Sequence, residues 1–319
     1  MLMSLNKKLI LLIGITIIAA IFYLFVGLDP DIFDYQLQSR LRKALLILLV
    51  GGSIGTAVVL FQAITRNRLL TPSIMGLDSV YLFVKVLPVF LFGIQSEIQT
   101  NIYINFAITL MTMVVFSLIL FEGIFKLGHF SVYFILLVGF VLGTFFRSIT
   151  NFIQLIMDPD AFLAVQSAMF ANFNGSNTTL VWLSGVFLIV LVVVAYRSAA
   201  YLDVLLLGRA QAINLGINYE RVIRGVLILV CMLVSISTAL VGPITFLGLL
   251  TVNLAHEYMR TYKHKILIPV TICLSWIGLF VAEWIVENLF DATSEVSIII
   301  DLVGGSYFIY LLMKRRQSS

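Results

Sequence analysis

Residues 44–76 read Ala-Leu-Leu-Ile-Leu-Leu-Val-Gly-Gly-Ser-Ile-Gly-Thr-Ala-Val-Val-Leu-Phe-Gln-Ala-Ile-Thr-Arg-Asn-Arg-Leu-Leu-Thr-Pro-Ser-Ile-Met-Gly. The part from Ala44 to Ile64 carries no charge and matches the length of about 20 apolar residues that a helix needs to cross a hydrocarbon core. It is closed by the basic turn Arg66-Asn-Arg68, after which Pro72 leads into the next apolar run. A strand cannot carry such a run, because a membrane strand alternates and is about half as long. This stretch is a spanning helix, a turn at a membrane face and the start of a second span.

The same pattern repeats along the chain. Runs nearly free of charge extend over Lys8–Val26, Ala44–Ile64, Ser73–Leu91, Ile102–Phe121, Ser131–Ile156, Thr178–Tyr196, Val222–Leu240, Ile244–Tyr258, Ile266–Val286 and Ser297–Met313, and the eighth is short. The composition agrees: 61% of residues are hydrophobic, 11% are charged, and the mean hydropathy is +1.08. A soluble globular chain does not carry such values. The expected fold is an all-α membrane protein, a polytopic bundle of about ten transmembrane helices.

Charge placement sets the orientation, because short cytoplasmic loops hold the excess of Lys and Arg. With both termini cytoplasmic, Lys7, Lys8, Arg66, Arg68, Arg197, Arg209, Arg221, Arg224, Arg260, Lys263 and Lys265 fall inside. Asp29, Asp31, Asp34, Glu97, Asp158, Asp160, Glu283, Glu287 and Glu295 fall outside. Arg40, Arg42 and Lys43 form the one basic cluster on the outer side and require a reason. The first run lacks a small-residue cleavage site and leads into Asp29-Pro30, so it reads as a span and not as a signal peptide. Cys231 and Cys273 fall within spans and imply no disulfide framework.

Residues 1–319 read as one transmembrane domain, with two polar excursions. The stretch Met157–Asn177 contains an amphipathic piece at Phe162–Phe170, expected as a short surface helix. The inner loop Arg197–Arg221 contains Gly208-Arg-Ala-Gln-Ala-Ile-Asn-Leu-Gly216, a short polar helix with Gly216 in the position of a left-handed cap. It is suited either to docking another protein or to serving as a plain connector.

Several chemistries are excluded. No Gly-Lys-Ser/Thr phosphate loop occurs, so ATP would have to bind on a separate subunit. His256-Glu257 is followed by Arg260 where a zinc protease needs its second His. Gly51-Gly-Ser-Ile-Gly55 has the spacing of a nucleophile elbow but lies in a helical span, where Gly51 and Gly55 read as a close-packing pair. Lys85, Arg147 and Asp301 are intramembrane ionisable residues, read as structural ion pairs in preference to a coupling-ion site. No cofactor or metal set is evident, and nothing points to nucleic acid.

Three blocks resemble one family. Gln62, Arg66, Asn67, Leu69, Pro72 and Gly76 fit the Gln…Thr-Arg-Asn-Pro-Leu-x-x-Pro-x-x-x-Gly signature of the iron–siderophore and vitamin B12 permeases of ABC importers, with Arg68 at the Pro position. The form Arg-Asn-Arg-Leu-Leu-Thr-Pro-Ser-Ile-Met-Gly looks like the branch serving catecholate siderophores. Gly242-Pro243-Ile-Thr-Phe-Leu-Gly248-Leu is similar to the family's Gly-Pro-Ile-Gly-Phe-Val-Gly-Leu, and residues 207–217 look like its cytoplasmic coupling segment.

The resemblance implies a type II ABC importer permease in the bacterial cytoplasmic membrane that performs no covalent chemistry. Its partners would be a second permease subunit, two ATP-binding subunits and an extracytoplasmic siderophore-binding protein. Arg40-Leu-Arg42-Lys43 resembles the family's external Arg-Leu-Pro-Arg, which implies that it docks the binding protein. Arg209, Ala210, Gln211, Leu215 and Gly216 would transmit ATPase closure, and a surface rich in small residues would meet the second permease. Haem or cobalamin as cargo shares every motif. An intramembrane hydrolase or an ion-coupled secondary transporter would need a competent nucleophile or a mid-membrane acid and inverted repeats.

Overall fold

The computed structural model describes residues 5–126, 132–174, 177–290 and 294–317, and among these there is no strand. Ser131, the first residue of the fifth predicted span, and His129 before it lie outside the described residues. The helices are α1 (Leu5–Phe25), α2 (Phe33–Thr65), α3 (Leu77–Phe92), α4 (Glu97–Thr100), α5 (Ile102–Lys126), α6 (Val132–Ile156) and α7 (Pro159–Gln166). They continue with α8 (Thr178–Arg197), α9 (Ala199–Leu205), α10 (Arg209–Asn214), α11 (Tyr219–Val241), α12 (Leu247–Met259), α13 (His264–Leu289) and α14 (Val296–Gln317).

Each of the ten apolar runs contains one helix, and eight helices are long and apolar enough to cross a membrane. The other two, α3 with 16 residues and α12 with 13, are about 24 and 20 Å long at the rise of an α-helix. Both follow irregular segments, Arg66–Gly76 and Gly242–Phe246. Backbone of that kind is tolerated at membrane depth only where protein covers it; Pro72, Met75, Gly76 and Gly242 are buried accordingly.

Helix α2 is the axis of the bundle. Every residue from Val50 to Thr65 is buried, and α8, α11, α12 and α13 pack around it. Small residues make this possible. A Cβ on Gly55 would stand 2.7 Å from Ser275 Oγ, one on Gly51 would stand 2.9 Å from Leu279 Cδ1, and one on Gly248 of α12 would stand 2.2 Å from Val58. The Gly51–Gly55 pair is thus a close approach of α2 and α13, as its spacing suggests. Ser53 Oγ donates to Leu49 O at 2.6 Å, within the helix.

Gly51, Gly55 and Gly248 are therefore used inside the chain. Exposed residues on α6 and α14 include bulky ones, among them Leu137, Phe140, Leu302 and Ile309, beside small ones such as Thr144, Ser148 and Ser306. The surface helix expected at Phe162–Phe170 is present as α7 and a 3₁₀ turn over Ser167–Met169, with Val165 packed among Val86, Val89 and Ile153.

Two polar ends are distinct. At one, the basic end, Lys8 Nζ donates to Tyr258 O at 2.8 Å, and Asp203 of α9 holds the first residue of α13 through His264 N at 2.9 Å and Nδ1 at 2.6 Å. At the other, the acidic end, Ala171 N donates to Ser297 Oγ at 3.1 Å, and Asn172 Nδ2 donates to Glu295 at 3.3 Å. Partial burial raises the Glu295 carboxyl above the usual carboxylate range.

Candidate functional site

Helix α2 ends because Arg66 adopts the left-handed conformation, φ 50° and ψ 31°. The chain then turns, and the carbonyl of Arg68 receives two side-chain amides: Gln62 Nε2 at 2.8 Å and Asn253 Nδ2 at 3.0 Å. Asn67 Oδ1 accepts from Leu69 N at 3.0 Å. Pro72 opens a 3₁₀ turn over Pro72–Met75, and Gly76 closes it at φ 82°. There the chain presses on α6 so tightly that a Cβ on Gly76 would lie 2.6 Å from Gly143 Cα. Gln62, Arg66, Asn67, Pro72 and Gly76 thus build a re-entrant segment that delivers the start of α3 into the body of the bundle.

Gly242 begins the second irregular segment at φ 101°, with no room for a Cβ beside Phe170 O at 2.7 Å. Pro243 follows it, and Gly248 seats α12 on α2. The two segments meet where Thr245 Oγ1 donates to Asp78 Oδ2 at 3.5 Å. The bond of Asn253 to Arg68 O ties α12 to the first segment.

Below this junction, at the basic end, lies an open cavity of about 560 Å³ whose lining includes Arg66, Arg68, Tyr133, His256 and Tyr307. The segment 207–217 sits beside it. A Cβ on Gly208 would lie 3.3 Å from Arg66 Nη1, so the loop that carries α10 runs beside the side chain of the residue that closes α2. After α10 the chain makes a full Schellman stop: Ile217 N donates to Ala212 O at 3.1 Å and Gly216 N to Ile213 O at 2.9 Å, with Gly216 at φ 81°.

Within α10 only Ala212 is buried, whereas Arg209, Ala210, Gln211, Leu215 and Gly216 are exposed. Arg209 pairs with Glu220 at 3.0 Å, both substantially exposed. Leu207, Ile213 and Leu215 stand out from the same loop as exposed apolar side chains. The loop thus forms a polar knob that displays three large aliphatic groups at the surface.

At the acidic end the structure separates the three basic residues. Arg40 and Lys43 are buried and Arg42 is exposed. Arg40 Nε donates to Glu287 at 2.9 Å and its Nη1 to the carbonyls of Tyr23 and Val26 at 2.9 and 2.8 Å. Lys43 Nζ lies 3.1 Å from Glu283 and 2.5 Å from Glu287. Tyr23 Oη completes the group with a bond to Glu287 at 3.2 Å. The cluster that broke the charge rule is therefore neutralised inside the chain. Arg40 and Lys43 bind α1, α2 and α13 together and are not presented for docking, so of the three only Arg42 offers its charge at the surface.

The intramembrane ionisable residues also differ from expectation. Lys85 donates to the Asn105 amide and lies 5.4 Å over the Tyr81 ring, with no acidic partner within 4 Å among the described residues. Asp301 Oδ1 is buried without a hydrogen bond. Asp78 lies inside an apolar run that a single acid does not interrupt, so the run itself does not single it out. Its position two residues after Gly76, at the entry to a short span, is the signal that marks it.

Residues 10–314 match the model of the FecCD transport family. The chain is 45% identical over 313 residues to the petrobactin import system permease protein YclO of Bacillus subtilis, covering 98% of this chain and 99% of that one. It is 28% identical over 331 residues to YclN, a second petrobactin import system permease protein of the same organism, covering 97% and 99%. Among solved structures, an inward-facing metal-chelate-type ABC transporter superposes with a TM-score of 0.86 at 24% identity, covering 98% of this chain and all of that one. With its family signature forming the re-entrant segment of an all-helical, multi-pass bundle, this chain belongs to the FecCD transport family.

Proposed function

We propose that the chain is one of two permease subunits of an ABC importer that carries a ferric siderophore, of catecholate type, into the cell. The observation that carries this reading is the position of the exposed α10 knob, whose loop runs beside the Arg66 side chain at the rim of the basic-end cavity and so sets a docking surface next to the turn framing that cavity. Movement of the knob would be passed to the pathway through α9, which packs on both α10 and α2. ATP-binding subunits docked on Leu207, Ile213 and Leu215 would close on ATP and move that turn, shifting the bundle between packings open to opposite sides. The basic end then faces the cytoplasm, with both termini, in keeping with its excess of Lys and Arg.

The cargo follows from the relatives, since YclO and YclN are both petrobactin import permeases and petrobactin fits the catecholate class. That one organism has two such permeases, both similar to this chain, supports a heterodimer. An extracytoplasmic binding protein would dock at the acidic end with Arg42 as a rim contact. Rim charges give steering and register more than affinity.

Uptake of radiolabelled ferric iron, presented with catecholate, hydroxamate and haem carriers to cells with this gene deleted and restored, tests the reading. The expected result is loss of uptake confined to the catecholate class and restored by the gene only when an ATPase partner is intact. Unchanged uptake across the panel in a strain that lacks any second ferric importer overturns it.

A further inference from the structure

The exposed half of α6 is divided lengthwise. Val141, Phe145, Phe152 and Ile156 form an apolar strip, each more than half exposed. Beside it Thr144, Arg147, Ser148 and Asn151 are all exposed, at spacings i, i+3, i+4 and i+7 that place them on one face of the helix. Along that same face toward the basic end the residues become Phe140, Leu137 and Tyr133, exposed and without charge, and Tyr133 lines the basic-end cavity.

One face of one helix thus runs from a polar, cationic outer half through an apolar inner half to a cavity bordered by Arg66 and Arg68. A lipid-facing surface does not place an arginine and three polar side chains together at membrane depth. The neighbouring apolar strip already supplies a face for lipid or for a second subunit. The hydroxyls of Thr144 and Ser148 donate to Phe140 O and Thr144 O at 2.8 and 2.9 Å, which leaves their lone pairs outward. No ion pair within 4 Å among the described residues includes Arg147. It is held near Asp78 by the Gly76–Gly143 contact one turn away, and the two interact electrostatically.

We infer that Thr144, Arg147, Ser148 and Asn151 line the outer half of the translocation pathway and that Arg147 selects an anionic cargo. The inference rests on the proposed import function. It adds the charge class of the cargo and the residues that meet it. A chelate whose iron ligands are catecholate or carboxylate oxygens carries the negative charge that a planar guanidinium receives in bidentate fashion. The uncharged stretch at Phe140 and Leu137 then separates the outer cationic site from the inner basic cavity, so the anion meets positive charge at each end and holds to neither permanently.

The test uses cells expressing the full transporter, with single cysteines at Ser148→Cys, Asn151→Cys and, as a control on the apolar strip, Phe145→Cys. The native Cys231 and Cys273 are buried and give little background. The expected result is that the two polar-strip cysteines react with an anionic, membrane-impermeant methanethiosulfonate roughly tenfold faster than with a cationic one, as a focused local charge produces. Phe145→Cys reacts with neither, and Arg147→Gln abolishes the preference.

Polar-strip cysteines as inert as the control, or equal reaction with both reagents while Arg147 is present, overturn the inference. In the second arm, ferric catecholate uptake falls about tenfold in Arg147→Gln at unchanged membrane level, and Arg147→Lys, which keeps the charge without the bidentate fork, restores only part of it; equal uptake by wild type and Arg147→Gln overturns the inference. If wild type carries no ferric catecholate while the reagent preference stands, the cargo reading fails and the anionic pathway is upheld.

Discussion

Lys43 shows how much the meaning of a charge depends on its neighbours. Its ammonium lies between Glu283 and Glu287 and is largely removed from solvent. Removing one partner of a buried pair leaves an uncompensated charge, at a cost of about 3–5 kcal/mol. Lys43→Met is therefore expected to lower the melting temperature of the purified protein sharply, and Arg40→Glu to do the same by facing a third carboxylate toward Glu287. Arg42→Ala should leave melting unchanged and weaken docking of the binding protein, measured as a higher Kd that is sensitive to salt. Gly76 is a second residue with a single tolerated occupant. Gly76→Ala adds a methyl in a left-handed conformation against the backbone of α6 and should cost roughly 2–4 kcal/mol, seen as loss of folded protein from the membrane.

Among elements, α10 and its stop are the part that the proposed coupling would move. Gly216 has open space where a Cβ would go, so a substitution there acts through φ alone and not through packing. Gly216→Val should leave membrane level intact and reduce uptake per ATP hydrolysed several-fold, because a β-branched residue resists the left-handed cap. Gly216→Asn, which tolerates that conformation, should remain coupled. Equal uptake and hydrolysis in the Val variant would dissociate α10 from coupling. The short helices α3 and α12 are the other distinctive elements: each is set at depth by a glycine with positive φ, and their joint contact at Asp78 and Thr245 needs both segments in place.

For the whole molecule, the separation of basic and acidic ends fixes a sidedness that can be measured. With the basic end cytoplasmic, Asp160→Cys is expected to react with an impermeant maleimide in intact cells, and Gln211→Cys only after permeabilisation. The reverse pattern would invert the topology.

Legible in the amino-acid order alone were the all-helical membrane fold, a helix in each of the ten apolar runs and the position of both breaks. These depend on local quantities: run length against bilayer thickness, and the backbone freedom of glycine and proline at 72–76 and 242–243. It also placed the α10 stop, because a Schellman cap is written in adjacent residues. It took the assembled bundle to show that Arg40 and Lys43 are neutralised within the chain, that Gly51 and Gly55 of α2 face α13, and that the α10 loop runs beside Arg66. Glu283 and Glu287 are more than two hundred residues from Lys43 in the chain, and a pairing of that kind leaves no local periodicity. Which faces of α6 are covered and which are exposed was likewise decided by what packs on α6, since spacing alone reveals that a polar stripe exists but not whether a neighbour covers it.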